Sequence, residues 1–247
     1  MKRVAFLGAK TIGLECLKIL DAKKQAGQFS IDALFTDLTR NKETNLKLIE
    51  FARERNIDIY EDIDSILTLP PFDYIISIQY NKILKARHID RAKKLALNLH
   101  MAPLPEYRGC NQFSFAIVDG KKEFGTTLHK IAEGIDNGDI IAESRFDVPV
   151  NCFVKELYDI TYKKSIQLFE DNILDILNDK YTLTAQESLI PVRGTKTVYR
   201  KDINKLKEID LEWDKDKIER HIRASLMPGF EPPFFMMDGK KVYFSLQ

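Results

Sequence analysis

What is scarce in this chain narrows its class. Of 247 residues only three are cysteine, Cys16, Cys110 and Cys152. They are odd in number, widely spaced and form no Cys-X-X-Cys pair. That excludes a disulfide framework and a zinc knuckle and implies reduced thiols. No apolar run approaches the roughly 20 residues that a membrane helix needs. The opening "MKRVAFLGAK" is basic and then apolar, as a secretory leader is, but Gly8, Lys10 and Gly13 follow its short apolar run. A first β-strand is the better reading. Net charge is almost absent too: 38 Lys and Arg against 37 Asp and Glu leave +1. That balance argues against a protein held on nucleic acid by phosphate neutralisation. No His, Asp or Glu cluster has metal-ligand spacing, so no metal is expected. The first predicted strand runs into "GAKTIG" (8–13), which lacks the GxGxxG pattern that brings backbone to a pyrophosphate and so disfavours a dinucleotide-dependent oxidoreductase. These absences predict a cytoplasmic protein that uses neither membrane nor nucleic acid.

Core-forming residues are plentiful. Apolar types make up 44% of the chain, enough for one large domain or one domain with a small appendage. Short apolar runs of buried-strand type stand at 3–8, 31–37, 73–79 and 95–100. Segments with helical spacing follow the first two, at 12–25 and 45–55. Strands alternating with helices imply parallel βαβ units. The expected fold is α/β: an open, mostly parallel, Rossmann-like sheet with helices on both faces. A short helix is expected at 111–120, a strand pair at 124–131 and 139–148, and a long helix at 154–180. Beyond about residue 181 the sequence turns polar and irregular. One helix is expected from 216, broken at Pro228-Gly229, and then a β-hairpin turning at Asp238-Gly239. The division is a core domain, 1–180, and a small C-terminal subdomain, 181–247.

In open parallel sheets ligands gather at the carboxyl ends of the strands. That rule marks Gly8–Lys10, Gln79–Tyr80 and Asn98–His100. Asn98 and His100, with Asp136 between Gly134 and Gly138, form a complementary set. A histidine exchanges protons near neutral pH, an amide donates hydrogen bonds without titrating, and a carboxylate orients a histidine and stabilises its charged form. The set suits attack on a carbonyl carbon. It contains no Ser or Cys nucleophile, which favours direct transfer between two bound substrates. Each piece alone is common background, since Asn-X-His is a weak signal and an aspartate between glycines is usually a turn former. His88 and His221, in polar helical contexts, are expected at the surface. His129 is expected to be a packed core residue, and Cys110 a small buried one.

The stretch from Asn98 to Ile141, "NLHMAPLPEYRGCNQFSFAIVDGKKEFGTTLHKIAEGIDNGDII", resembles the formyltransferases that use N10-formyltetrahydrofolate. Asn-X-His, the "LPxYRG" loop, the "TLHxxxEGID-G-D" segment and the distance from His to Asp all recur in that family. "SIQYNKIL" (77–84) falls where the family has its folate-holding strand and loop. The resemblance implies that Asn98 hydrogen-bonds the formyl oxygen. It implies that His100 stabilises the tetrahedral oxyanion and joins the proton transfer, and that Asp136 orients His100 and an ordered water. It further implies that the folate pterin sits against backbone groups of two segments, with Gln79, Tyr80, Lys82, Ile83 and Leu84 on one and Ile131, Glu133 and Ile135 on the other.

The family serves several amines. Enzymes acting on initiator methionyl-tRNA resemble this chain in the core but add a larger basic C-terminal domain, whereas here the tail is short and the net charge small. Enzymes acting on glycinamide ribonucleotide carry a Gly-Ser-Asn phosphate loop from which "GAKTIG" departs. The tail "YRKDINKLKEIDLEW" and "IRASLMPGFEPPFF" looks like that of sugar N-formyltransferases. Lys10, Arg193, Lys196, Arg200 and Arg223 are candidates to meet phosphates, and Arg108 is a further candidate to bind substrate. Tyr199, Phe230, Phe234 and Phe235 are candidates to stack on a base, with Asn111 nearby. The expectation is a sugar N-formyltransferase acting on the amine of a dTDP- or UDP-linked amino-dideoxy sugar, in synthesis of O-antigen or other surface polysaccharide. The alternatives are an enzyme of the methionyl-tRNA type and a non-catalytic folate- or nucleotide-binding protein. A homodimer is expected, from the apolar residues Phe234, Phe235, Val242 and Phe244 on the hairpin.

Overall fold

The computed structural model describes residues 1–24 and 27–245. Its first half alternates strand and helix: β1 (Lys2–Gly8), α1 (Lys10–Ala22), β2 (Phe29–Phe35), α2 (Lys42–Glu54), β3 (Asp58–Tyr60), β4 (Phe72–Ile78), a one-turn α3 (Ala86–Ile89) and β5 (Ala92–His100), of which the short β3 and α3 are not expected from the sequence. Then follow β6 (Arg108–Gly109), α4 (Gln112–Val118), β7 (Glu123–Lys130), β8 (Ile140–Asp147) and the long α5 (Val154–Leu177). The expected end of the first helix, Gln25, lies outside the described residues. The main sheet has seven strands in the order β3-β2-β1-β4-β5-β7-β8. The first five run parallel, and β7 and β8 join antiparallel. From β1 the chain builds outward to β2 and β3, then returns to place β4 on the other side. The topological switch therefore lies between β1 and β4, where a crevice opens beyond the strand ends.

Period-two alternation assigns the strand side chains to two layers. Val4, Phe6, Tyr74, Ile76, Leu97 and Leu99 face α1, α2 and α5 in one core. Ala5, Leu7, Phe35, Ile75 and Ala96 face the other side, which is covered thinly by a 3₁₀ turn (Ile63–Leu67), α3 and loop residues such as Tyr80, Leu84 and Ile131. Helical cover on both faces is thus unequal. By the same alternation Asn98 and His100 share the face of Ala96, so both point to the thinly covered side.

The segment after α5 is more ordered than its polar composition suggested. It forms α6 (Gln186–Arg193), β9 (Thr197–Val198), a one-turn α7 (Asn204–Lys207), α8 (Lys215–Ser225) and the hairpin strands β10 (Phe234–Met237) and β11 (Lys240–Tyr243). α6 and β9 show no apolar period because neighbouring elements, not a buried stripe of their own, hold them. Two of the histidine expectations are corrected. His88 is buried: its Nδ1 accepts from the Lys85 amide and its Nε2 lies 2.7 Å from Asp64 Oδ1. His221 is buried on the inner face of α8, its ring 4.6 Å from that of Trp213. Cys110 is half-buried rather than buried, because β6 is a two-residue strand at the margin of the fold. The Asp238-Gly239 turn is as expected, with both residues at positive φ (49° and 72°), as a tight hairpin turn demands. Leu246, at the end of that predicted hairpin, lies outside the described residues.

Candidate active site

The carboxyl end of β5 carries Asn98 and His100. β7 pairs with it so that His129 stands opposite Asn98 and Thr127 opposite His100. The loop from β7 to β8 then brings Asp136 over them. Its backbone is at φ 47°, a left-handed conformation that Asp tolerates better than most residues. Gly138 lets that loop lie against the sheet, since a Cβ there would stand 2.0 Å from the Lys130 carbonyl oxygen.

The polar contacts fix tautomers. The His100 Nε2–H donates to the Tyr107 carbonyl (2.8 Å), which leaves Nδ1 of the neutral ring bare, 3.6 Å from Asp136 Oδ2. The His129 Nδ1–H donates to the Lys130 carbonyl (2.8 Å), so its Nε2 accepts from Asn98 Nδ2 at 3.1 Å. His129 Nε2 also lies 3.6 Å from Asp136 Oδ1. The Gly109 amide donates to Asp136 Oδ2 at 2.9 Å. Asn98 is thereby oriented with one N–H on His129 and the other free to meet a ligand oxygen. His100 Nδ1 is the vacant proton site of the cluster, with a carboxylate beside it.

Electrostatics follow from burial and neighbours. His129 is pushed down to about 4, by burial first, with the His100 charge adding to it and Asp136 opposing. At neutral pH it is therefore an uncharged acceptor. Burial alone raises the Asp136 carboxyl, but His100, His129, the Gly109 amide and Arg108 outweigh it and hold it below the usual carboxylate range. Asp136 is therefore ionised at neutral pH. Among the described residues no group of three His, Cys, Asp or Glu side chains is placed to hold a metal ion.

The other candidates fall into two groups. Lys10, the first residue of α1, donates from Nζ to Oε1 of Gln79, just beyond β4 (2.9 Å), which bridges the switch point. Burial lowers the Lys10 ammonium, and the Arg200 guanidinium facing it adds to the effect. Asn111 donates from Nδ2 to the carbonyls of Tyr199 (3.0 Å) and Arg200 (3.1 Å), which ties that segment to the loop after Gly109. Arg108 donates from Nε and Nη2 to Gln186 Oε1. In the 79–84 loop the Tyr80 hydroxyl and the Asn81 amide nitrogen are buried without a partner, Lys82 donates to the Glu61 carbonyl, and Ile83 is exposed. Ile131 and Glu133 line a cavity of about 510 Å³ together with Ala86, Ile89 and Lys94. Ile135 is at the loop surface, and Leu84 packs on the thin-side core.

The remaining candidates are spoken for or set apart. Arg193 forms a two-pronged pair with Glu143 (2.9 Å on both prongs), and Lys196 pairs with Asp119 (2.9 Å). Arg223 lies 3.8 Å from Glu219 and acts on the Cys152 thiol. Phe234 is buried, and the Phe235 ring lies 5.7 Å from that of Phe244 at a tilt of 58°. The rings of Tyr199 and Phe230 are exposed. Two residues of the cluster were not singled out in the sequence. The strand position of His129 marks it as core, and its place beside Asn98 follows only from the register of β5 with β7. Gln186, in a polar stretch, gave no signal.

A sequence model of the family described as "Formyl transferase" matches residues 4–173. A methionyl-tRNA formyltransferase from Clostridium novyi is 28% identical over 244 residues, covering 93% of this chain and 74% of that protein. A GDP-perosamine N-formyltransferase from Brucella melitensis is 30% identical over 171 residues, covering 69% of this chain and 63% of that protein. Among solved structures, WlaRD, a sugar 3N-formyl transferase crystallised in the presence of dTDP and 5-N-formyl-THF, superposes with a TM-score of 0.77 at 25% identity. That match covers 98% of this chain and 85% of the other.

Proposed function

The chain belongs to the formyl transferase family, and on that premise we propose that it moves a formyl group from N10-formyltetrahydrofolate to the amine of a nucleotide-linked amino sugar. The observation that carries the reading is one arrangement: the free N–H of Asn98 and the bare Nδ1 of His100 converge beside an ionised Asp136. Asn98 holds the formyl oxygen and stabilises the negative charge that gathers there as the amine adds to the formyl carbon. His100 Nδ1 receives the proton that the amine nitrogen loses on forming its bond, and Asp136 stabilises the resulting imidazolium. The proton then passes to N10 as the bond from the formyl carbon to N10 breaks, so the donor leaves as tetrahydrofolate. For the donor, the buried, unpartnered Tyr80 hydroxyl and Asn81 amide nitrogen leave hydrogen-bonding capacity in the loop assigned to the pterin, and Ile131 and Glu133 border a cavity on the other side.

Lys10 and Arg200 support a nucleotide-sugar acceptor. They face each other beside Cys110, next to Gly109 and the Asp136 loop, and neither has a carboxylate partner among the described residues. Two uncompensated cations suit a diphosphate, and the exposed Tyr199 ring adjoins them for base stacking. The WlaRD structure, obtained with dTDP, favours a dTDP-linked sugar, and synthesis of O-antigen or other surface polysaccharide is the role we assign. Asn111 shapes this pocket through the 199–200 backbone. The second reading, transfer to initiator methionyl-tRNA, is favoured by the Clostridium novyi relative. We assign the hairpin to a homodimer contact; of the four residues expected to form it, Phe234 is buried within the chain and Phe235, Val242 and Phe244 are half-buried, so the exposed Met236, Met237 and Tyr243 carry the contact instead. Scattering mass at two concentrations tests it, and a monomer at the higher one defeats it.

The test of function is release of tetrahydrofolate from N10-formyltetrahydrofolate with a panel of dTDP-, UDP- and GDP-linked 3-amino and 4-amino sugars. Turnover with one sugar, lost in His100→Ala, is the expected result. No turnover with any sugar, together with salt-sensitive formylation of methionyl-tRNA, establishes the second reading instead.

A further inference from the structure

Gln186 is the first residue of α6, has no exposed surface and lies outside the span that matches the family. Its amide has four polar contacts. On one side, Oε1 accepts from Arg108 Nε (3.0 Å) and Nη2 (2.7 Å). On the other, Nε2 donates to the carbonyls of Asp136 (2.9 Å) and Gly138 (2.7 Å). Guanidinium nitrogens only donate and carbonyls only accept, so this amide has one possible orientation and its four contacts use its full capacity. Arg108 and Gly109 form β6, and Gly109 is the residue whose amide bonds Asp136. One side chain thus holds the catalytic carboxylate's own backbone on one side and the strand that bonds this carboxylate on the other.

We infer that Gln186 is a positioning residue for the transfer reaction, fixing Asp136 against His100 from a segment beyond the family's core. Two physical consequences follow. The hold needs a group that accepts on one side and donates on the other, which only a neutral amide of this length supplies. The amide also engages the Arg108 fork without neutralising it, so the guanidinium charge still acts on Asp136. An isosteric carboxylate would keep the Arg108 bonds, oppose the two carbonyls with like partial charge and set a second negative charge near Asp136.

The inference rests on the catalytic reading of Asp136, yet its first test needs no turnover. The side-chain carboxyl of Asp136 is titrated by ¹³C NMR in the whole protein, with Asp136→Asn to assign the resonance, in wild type, Gln186→Glu and Gln186→Leu. Both variants are expected to raise the midpoint by about one pH unit or more, the Glu variant by added charge and the Leu variant by release of the loop. Gln186→Asn keeps both kinds of hydrogen-bonding group but is one methylene too short, and it replaces the Leu variant if that one does not fold. Folded variants with an unchanged midpoint overturn the inference, even if their melting temperature falls. With an acceptor in hand, kcat is expected to fall at least tenfold in Gln186→Glu, with the KM for the formyl donor within twofold. In an Asp136→Asn background the same change should cost less than twofold, whereas fully additive losses overturn the inference. A shifted midpoint with no formyl transfer to any amine leaves the positioning intact and rejects the catalytic reading.

Discussion

At the scale of single residues, the cluster divides its labour by protonation state. His100 keeps a bare Nδ1 because a backbone carbonyl claims its other nitrogen, and for the same reason His129 Nε2 carries no proton and accepts from Asn98. His100→Ala is therefore expected to lower kcat by about 10²-fold or more, while urea unfolding shows a loss of only about 1–3 kcal/mol from the unpaired Tyr107 carbonyl. His129 makes a separate prediction. Its folded value is depressed to about 4, below the unfolded value near 6.5, so the unfolded chain binds a proton that the folded chain refuses. Stability is complete above pH 6.5 and falls as the pH drops towards 4, by roughly 3 kcal/mol. His221, also lowered chiefly by burial, acts in the same direction. Urea midpoints at pH 6.5 and 4.5 should differ strongly in wild type and less in His129→Gln; equal differences would reject the buried neutral histidine. Asn98, His100 and Asp136 were legible as a set because their chemistry is complementary and their motif resembles a family. The part of His129 was not, because it depends on which residue of β7 faces Asn98, and register is a property of two strands.

Among elements, the short pair β6·β9 matters beyond its size. Arg108 and Gly109 pair with Thr197 and Val198, and the Gly109 amide reaches Asp136. Gly109 sits at φ 89°, and a Cβ there would stand 2.2 Å from the Val198 carbonyl oxygen. Gly109→Ala is expected to cost about 1–3 kcal/mol of stability through backbone strain and the parting of the two strands, with a fall in kcat as the amide leaves Asp136. A variant with wild-type kcat would show that this amide is dispensable. The long elements were legible in the sequence because each buries a periodic apolar face, as in β1, β4 and α5. β6, β9 and α6 were not, because they bury no stripe of their own; Gln186 and the backbone of Arg108 and Cys110 hold them. For the same reason Arg193 and Lys196 read as phosphate ligands in the sequence and prove to be paired with Glu143 and Asp119.

For the whole molecule, a formal charge of +1 conceals a local imbalance at the switch point. Among the described residues neither Lys10 nor Arg200 has a carboxylate partner there, so the acceptor's affinity should depend on both. Lys10→Ala is expected to raise the KM for the nucleotide sugar about tenfold and to leave that for the formyl donor within twofold. Raising the salt should weaken acceptor binding in wild type more than in the variant. An equal rise in both KM values would place Lys10 with the donor instead. The sequence by itself determined the α/β class, the parallel run of the first long strands, the hairpin turn and the chemical set Asn98, His100 and Asp136. Each of these rests on local periodicity, turn chemistry or a contiguous motif. Only the tertiary structure decided which cations lack a carboxylate partner among the described residues, that His129 and Gln186 contact Asn98 and the Asp136 loop, and that the polar stretch after α5 closes round Asp136. Those outcomes depend on which distant residues come within hydrogen-bonding reach, about 3 Å, and spacing along the chain does not encode that distance.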